Sequence, residues 1–249
     1  MPADTRFTTG VITHKHCWHE SLFSLTVRST IKPFVAGQFT SLAANINDTH
    51  TARAYSIASA PHQNDLEFYF NRVIDGPLSN HLASLEAGDT IEVAKSAAGF
   101  FTLEEVLGGK DLWMMATGTG LGPYISILRS PEVWQRFDNI IVVHAARTEA
   151  DLGYRTELLT MAKQNSTFQY IPIVTREKMK TTLSQRFPLI ISNDTLAAET
   201  GCDFKPESSR IMLCGSMDMI KDTTVALNDL GITKHLRSRH GQIISEKYW

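Results

Sequence analysis

The sequence predicts two domains: an antiparallel β-barrel over residues 1–103, then an α/β domain with a parallel sheet over residues 110–249. Three observations carry this. Up to about Thr102 the apolar residues fall in short alternating runs divided by turn residues. After Gly108-Gly109-Lys110 they fall in compact apolar runs with helical periodicity between them. The 249 residues, 43% of them hydrophobic, suffice for two cores of middling size.

In the first domain the runs Leu22 to Val27, Gln38 to Leu42, Ala54 to Ala58, Leu66 to Phe70 and Thr90 to Val93 read as strands. Leu66, Phe68 and Phe70 share one face of theirs, with Glu67, Tyr69 and Asn71 on the other, because side chains alternate along a strand. Breaks lie at Ala36-Gly37, Asp75-Gly76-Pro77 and Ala87-Gly88-Asp89. One or two helical turns fit around Leu78 to Leu85. In the second domain the apolar runs are Leu112 to Ala116, Ile140 to Val143, Tyr170 to Val174 and Ile211 to Cys214. Leu121, Tyr124, Ile125 and Leu128 mark a helix after the first run. A last helix passes through Met217, Ile220, Leu227 and Leu230, and Gly231 ends it.

Composition excludes several functions. Lys and Arg number 24 and Asp and Glu 26, for a net charge of -2 and a pI near 6.5. There is no global basic field for nucleic acid. No apolar run approaches the roughly 18 residues of a membrane span, and the opening residues do not resemble a secretion leader. Cys17, Cys202 and Cys214 are odd in number and far apart, so neither a disulfide framework nor a four-cysteine iron–sulfur site is expected. A monomer in the reducing cytoplasm is the expected setting. His14, His16, Cys17 and His19 are metal-ligand types close together, but a surface strand and loop with histidines is the simpler reading, and no metal is expected.

In an open parallel sheet, ligands sit beyond the carboxyl ends of the strands. The first run leads into Thr117-Gly118-Thr119-Gly120-Leu121-Gly122-Pro123. Glycines there would let backbone amides approach a diphosphate, although a tight ligand-free turn has the same composition. The second run ends in His144-Ala145-Ala146-Arg147, and the third in Thr175-Arg176-Glu177, with Arg186 close behind. Guanidinium groups match phosphate oxygens as a fork, and two at equivalent strand ends favour NADP over NAD. Taken singly, each reads more simply as a solvated surface charge. The fourth run ends in Cys214-Gly215-Ser216-Met217, where a small thiol beside a glycine leaves space for a flat ring; a buried cysteine acting as a small hydrophobe is the plainer reading.

Four motifs in this order, Arg53-Ala54-Tyr55-Ser56, Gly76-Pro77-Leu78-Ser79, the Gly118 to Pro123 turn and Cys214 to Met217, resemble the ferredoxin–NADP reductase family. Tyr248-Trp249 narrows the resemblance to its bacterial ferredoxin/flavodoxin branch. Thr175 stands where Ser is expected, and Pro123 replaces the last glycine of the common dinucleotide fingerprint. The resemblance implies an FAD-binding barrel and an NADP-binding α/β domain. It implies that Arg53 pairs with the flavin diphosphate, that Tyr55 lies against the isoalloxazine ring, that Ser56 sits near the hydride-accepting nitrogen, and that Ala54 between them is also cofactor-binding. Tyr69, Phe70, Asn71 and Arg72 would border the ribityl and adenosine part, and Pro77, Leu78 and Ser79 the diphosphate. Thr119 would reach the ring from the second domain, Tyr248 would cover its other face, and Trp249 would lie on adenine. Ala146, Arg147, Thr175, Arg176 and Arg186 match the NADP adenosine-phosphate pocket. Ser56, Cys214 and Tyr248 are the implied catalytic contacts.

The implied activity is exchange of a hydride with NADP(H) and of single electrons with ferredoxin or flavodoxin. From Ile232 onward, Lys234, Arg237, Arg239 and Lys247 stand against Glu246 alone, a patch able to steer an acidic carrier protein or simply a solvated chain segment. Two other readings stay open: a flavin, quinone or other small-acceptor reductase on the same fold, and a non-catalytic NADP or redox sensor.

Overall fold

The computed structural model describes residues 5–177, 183–236 and 238–248. Two compact units make up the chain: the residues up to Leu103 with Gly122–Pro131, and Glu104–Leu121 with the residues from Glu132 on.

The first unit contains β1 (Phe7–His19), β2 (Leu22–Arg28), β3 (Phe39–Ile46), β4 (Thr49–Ser56), β5 (Leu66–Asn71), helix α1 (Pro77–Ser84) and β6 (Thr90–Ala94). The strands form one antiparallel sheet in the order β4-β3-β6-β1-β2-β5. Beyond β4, Ile57 bridges Phe68 and the Ala58 amide donates to the Glu67 carbonyl at 2.7 Å, so the two edges meet and the sheet curls into the expected barrel. Leu25, Val27, Leu42, Ile57, Phe68, Leu82 and Val93 fill it with no exposed surface. The face predicted for β5 is buried, and so is Tyr69 on the opposite face, covered by the edge of the Trp18 ring. Strand β1 is the longest in the chain and escapes the periodicity reading. It is rich in Thr, His and Lys, and of its residues only Gly10 and Ile12 are buried.

Helix α2 (Gly122–Leu128) lies within the span expected for the second domain but packs with the first unit. The reason is chemical as well as steric. Ser126 donates to the Ser59 carbonyl at 2.6 Å, Arg129 pairs with Glu67, and the Tyr124 ring packs on Phe101.

The second unit contains β7 (Asp111–Thr117), α3 (Glu132–Arg136), β8 (Asn139–Ala146), α4 (Arg155–Gln164), β9 (Phe168–Val174), α5 (Phe187–Ser192), α6 (Thr195–Thr200), β10 (Ser209–Gly215), α7 (Met217–Asp229) and β11 (Ile243–Lys247). Its sheet is parallel, in the order β11-β10-β7-β8-β9. Trp113, Met115, Ile141, Val143, Ile211 and Leu213 are fully buried, because helical crossovers cover both faces of such a sheet. All four predicted strands are present, and α7 ends just ahead of Gly231 as expected. β11 is an additional edge strand, and its polar residues Ser245, Glu246 and Lys247 hid it from the apolar pattern. Among the described residues no helix is long and apolar enough to cross a membrane.

Connections from β7 run outward through β8 to β9, and the chain then returns to place β10 on the other side of β7. The order of strands therefore reverses between β7 and β10. A crevice opens at such a reversal, beyond the carboxyl ends of the strands.

Candidate functional site

In the first unit, the candidate residues sit where β4 ends and α1 begins. α1 packs on β3 and β4 through Leu78 and Leu82, which brings its amino end to this side of the barrel. Arg53 and Ala54 are exposed, Tyr55 is half-buried, and Ser56 is 7% exposed. The Arg53 guanidinium donates to the Ala52 carbonyl at 2.7 Å. Tyr55 meets the edge of Phe70, with ring centroids 5.9 Å apart. Burial pushes its phenol up to about 12, against a smaller opposing pull from Arg53, so the ring is neutral at physiological pH.

The loop before α1 is built around the helix start. The Ser79 hydroxyl accepts from the Val73 amide and donates to the Gly76 carbonyl, while the Asn80 amide group donates to the carbonyls of Val73, Ile74 and Gly76. Pro77 enters at the first helical turn, where its missing N–H costs nothing, and no side chain caps that end. Its first-turn amides are thus left for an anion, next to the strand that carries Arg53. These features fit a diphosphate and a flat ring system. Tyr69 and Phe70 are 4% and 3% exposed, so their side chains pack within the barrel unit, Phe70 against the Tyr55 ring, and it is the backbone of this stretch that borders the strand end. Asn71 is half-buried and Arg72 exposed, and they remain accessible.

In the second unit the candidates gather at the carboxyl end of the sheet. After β7 comes a 3-10 turn, Gly118–Leu121, with Gly118 at φ +53 and Thr119 buried. Gly120 is pressed against the end of β10: a Cβ there would lie 2.5 Å from the Cys214 carbonyl oxygen and 3.0 Å from the Gly215 nitrogen. Thr117 clamps the same junction, its hydroxyl accepting from the Ser216 amide at 3.2 Å. Ser216 in turn caps α7 by accepting from the Met219 amide.

Cys214 is fully buried. Burial, aided by Glu246 and opposed by a hydrogen bond from the Tyr248 side chain, holds its thiol well above the usual range, so it is protonated at neutral pH. The Tyr248 amide donates to the Gly215 carbonyl at 2.9 Å, which docks this residue on the end of β10. Trp249 lies outside the described residues.

At the ends of β8 and β9, Arg147 and Arg176 are exposed and adjacent, since the Arg176 amide donates to the Arg147 carbonyl at 2.9 Å. The Thr175 hydroxyl and amide both donate to the carbonyl of Ala146, itself buried. Glu177 accepts from the Glu149 amide at 2.8 Å and so ties the two strand ends together. Arg186 is exposed at the start of α5, after Leu183 has bridged back to Ile173. Two exposed guanidinium groups at neighbouring strand ends, with a hydroxyl between them, fit a phosphate monoester. His14, His16, Cys17 and His19 form no such group: among the described residues no three metal-ligand side chains converge.

The oxidoreductase FAD-binding domain family model matches residues 12–102, and the oxidoreductase NAD-binding domain model matches residues 114–224. The flavodoxin/ferredoxin–NADP reductase of Escherichia coli K12 is 42% identical over 245 residues, covering 98% of this chain and 99% of that protein. That of Buchnera aphidicola from Schizaphis graminum is also 42% identical over 245 residues, covering 94% and 95%. The chain belongs to the flavodoxin/ferredoxin–NADP reductase family. Among solved structures, a ferredoxin–NADP reductase from Neisseria gonorrhoeae with bound FAD and NADP superposes with a TM-score of 0.93 at 33% identity, covering 98% of this chain and 99% of that one. The two-domain reductase fold expected from the resemblance is therefore present.

One residue of this reductase-family site was in view in the sequence without a role. His144 stands in the last turn of the apolar strand β8, is fully buried, and contacts the Gly118 carbonyl through Nε2 at 3.1 Å and the Tyr170 hydroxyl through Nδ1 at 3.4 Å. Its position inside an apolar run was the available signal. Burial lowers its pKa to about 4, despite the Gly118 bond and the charge of Asp151 pulling the other way. The native state thus holds a neutral imidazole, while the unfolded chain takes up a proton below about pH 6.5. Stability present above that pH is lost as pH falls towards 4, by about 3 kcal/mol in full. Urea unfolding at pH 7 and pH 4.5 should show this loss, and His144→Gln should remove most of it. Equal pH slopes in the two proteins would assign the acid sensitivity to other groups.

Proposed function

We propose that the chain is an FAD-dependent reductase that exchanges a hydride with NADP(H) and single electrons with a ferredoxin or flavodoxin, acting as a monomer in the cytoplasm. The observation that carries this reading is the placement of the Gly118 turn and Cys214-Gly215-Ser216 on either side of the strand-order reversal, with Arg147 and Arg176 at the next strand ends. Bound FAD supplies the conversion between two-electron hydride transfer and one-electron transfer.

The chain's own residues have distinct tasks. Arg53 and the open amino end of α1 neutralise the flavin diphosphate, Tyr69, Phe70, Asn71 and Arg72 border its ribityl and adenosine side, and Pro77, Leu78 and Ser79 shape the cradle. Tyr55 offers a neutral aromatic face, with Ala54 beside it, and Ser56 a hydroxyl at the ring edge. Arg147, Thr175, Arg176 and Arg186 grip the phosphate that distinguishes NADP from NAD, with Ala146 as the wall between them. Thr119 reaches the flavin ring, and Cys214 flanks the nicotinamide. A protonated thiol brings no charge to the reacting carbon. Tyr248, bonded to Cys214, must yield that place when nicotinamide arrives, which makes it a gate. The exposed cations Lys234, Arg239 and Lys247 favour an acidic carrier protein; Arg237, expected to join them, lies outside the described residues.

An absorption spectrum followed by anaerobic titration tests the reading. The purified protein should be yellow, should bleach stoichiometrically with NADPH and scarcely with NADH, and should then reduce ferredoxin or flavodoxin at a rate that falls with salt. Colourless protein that stays so after reconstitution with FAD would end it. Bleaching with no reduction of either carrier would move the function to the small-acceptor alternative.

A further inference from the structure

We propose that His144 is a positioning residue for the pyridine-nucleotide turn: its Nε2–H holds the Gly118 carbonyl inward, so that the Gly118–Thr119 peptide presents its amide hydrogen outward to the diphosphate of NADP(H). This rests on the assignment of the second unit to NADP(H).

The tautomer follows from the contacts. The Gly118 carbonyl can only accept, so the Nε2 that lies 3.1 Å from it carries the hydrogen. In a neutral ring Nδ1 is then an acceptor, and the Tyr170 hydroxyl at 3.4 Å donates to it. Tyr170 is itself buried, and burial pushes its phenol well above the usual range, so it keeps its proton to give. Asp151 and Arg155 are the nearby charges, and neither bonds the ring: Asp151 accepts from Thr148, and Arg155 pairs with Glu149.

The consequence for the turn follows from peptide geometry. A trans peptide is planar, with its C=O and N–H antiparallel, and no cis peptide bond occurs among the described residues. Fixing the Gly118 oxygen toward His144 therefore fixes the Thr119 N–H in the opposite direction. Gly118 sits at φ +53, a conformation that a glycine leaves easily, so an external restraint on this peptide has something to restrain. His144 supplies it from β8, the strand next to β7. The residue touches no ligand itself.

The test uses the FAD-loaded protein and two ligands. NADP+ needs the turn, whereas 2'-AMP carries the adenosine phosphate without a diphosphate. His144→Phe keeps a ring but has no donor, and His144→Gln can place an amide N–H near Nε2. The Phe variant should weaken NADP+ binding about tenfold, as expected for one lost hydrogen bond, and leave 2'-AMP within about twofold. Gln should recover most of the loss. Long-range 1H–15N spectra should show the wild-type imidazole protonated on Nε2 alone at pH 6. Unchanged NADP+ affinity in the Phe variant, parallel loss of both ligands, no recovery by Gln, or protonation on Nδ1 would each overturn the proposal. Should the Phe variant fail to fold, Tyr170→Phe substitutes for it. That change removes the donor to Nδ1, and NADP+ alone should weaken; equal affinity with a mixed tautomer would refute the role. A wild-type protein that binds neither ligand would instead refute the nucleotide assignment, and the imidazole spectrum would still report on the tautomer.

Discussion

Replacing Arg147 and Arg176 together with alanine is expected to abolish the discrimination between NADPH and NADH. Hydrogen bonds to a charged phosphate contribute about 1.5–3 kcal/mol each, so losing one bond from each guanidinium lowers kcat/KM for NADPH by roughly 10^2- to 10^4-fold. NADH lacks the phosphate and serves as the internal reference. The two residues are exposed at neighbouring strand ends and joined through the backbone, so each single variant leaves the other partner in place. Singles should therefore retain part of the preference. The ratio of kcat/KM for the two nucleotides reads the effect directly. A double variant that still prefers NADPH more than about tenfold would show that the specificity resides elsewhere.

Gly120→Ala is expected to disable reduction by NADPH while FAD stays bound. The added methyl would lie 2.5 Å from the Cys214 carbonyl oxygen, 2.7 Å from its carbon and 3.0 Å from the Gly215 nitrogen. These are backbone atoms at the end of a fully buried strand, so the turn must move rather than its neighbour. A shift of about 1 Å in a positioned reactant can cost roughly 100-fold in rate, and overpacking adds about 1–3 kcal/mol of lost stability. Gly108→Ala is the matched control, because a Cβ there meets nothing within 4 Å. Rapid-mixing measurement of flavin bleaching by NADPH separates the outcomes. Wild-type rates in the Gly120 variant would mean that the junction between β7 and β10 does not set the position of the nucleotide.

How far the sequence could be read depends on where apolar residues fall. The parallel sheet was legible because β7, β8, β9 and β10 are covered on both faces and must be apolar throughout. β1 was not, since Thr, His and Lys break up its apolar pattern and only Gly10 and Ile12 are buried. β11 was missed for the same reason. The helix Gly122–Leu128 was seen, but its contacts with Ser59 and Phe101 were not: periodicity reports that a face is buried, not what buries it. At the candidate site, Arg53, Tyr55, Arg147 and Arg176 could be named from motif order because their chemistry is distinctive. The burial of Tyr69, on the face opposite Leu66, Phe68 and Phe70, depended on the Trp18 ring brought over it by β1, which no local pattern in β5 encodes. His144 was in plain view, yet its relation to Gly118 requires two neighbouring strands in register.

The reversal of strand order has a kinetic side. β8, β9 and their helices lie between β7 and β10 along the chain, so this central pair of the second sheet is the most distant pairing in the fold. Distant parallel pairings form slowly. Until β10 arrives, the edge of β7 from Leu112 to Ala116 is an uncovered apolar strand, the kind of surface on which newly made chains aggregate. The time this edge spends without its partner is thus the interval in which a newly made chain is open to aggregation.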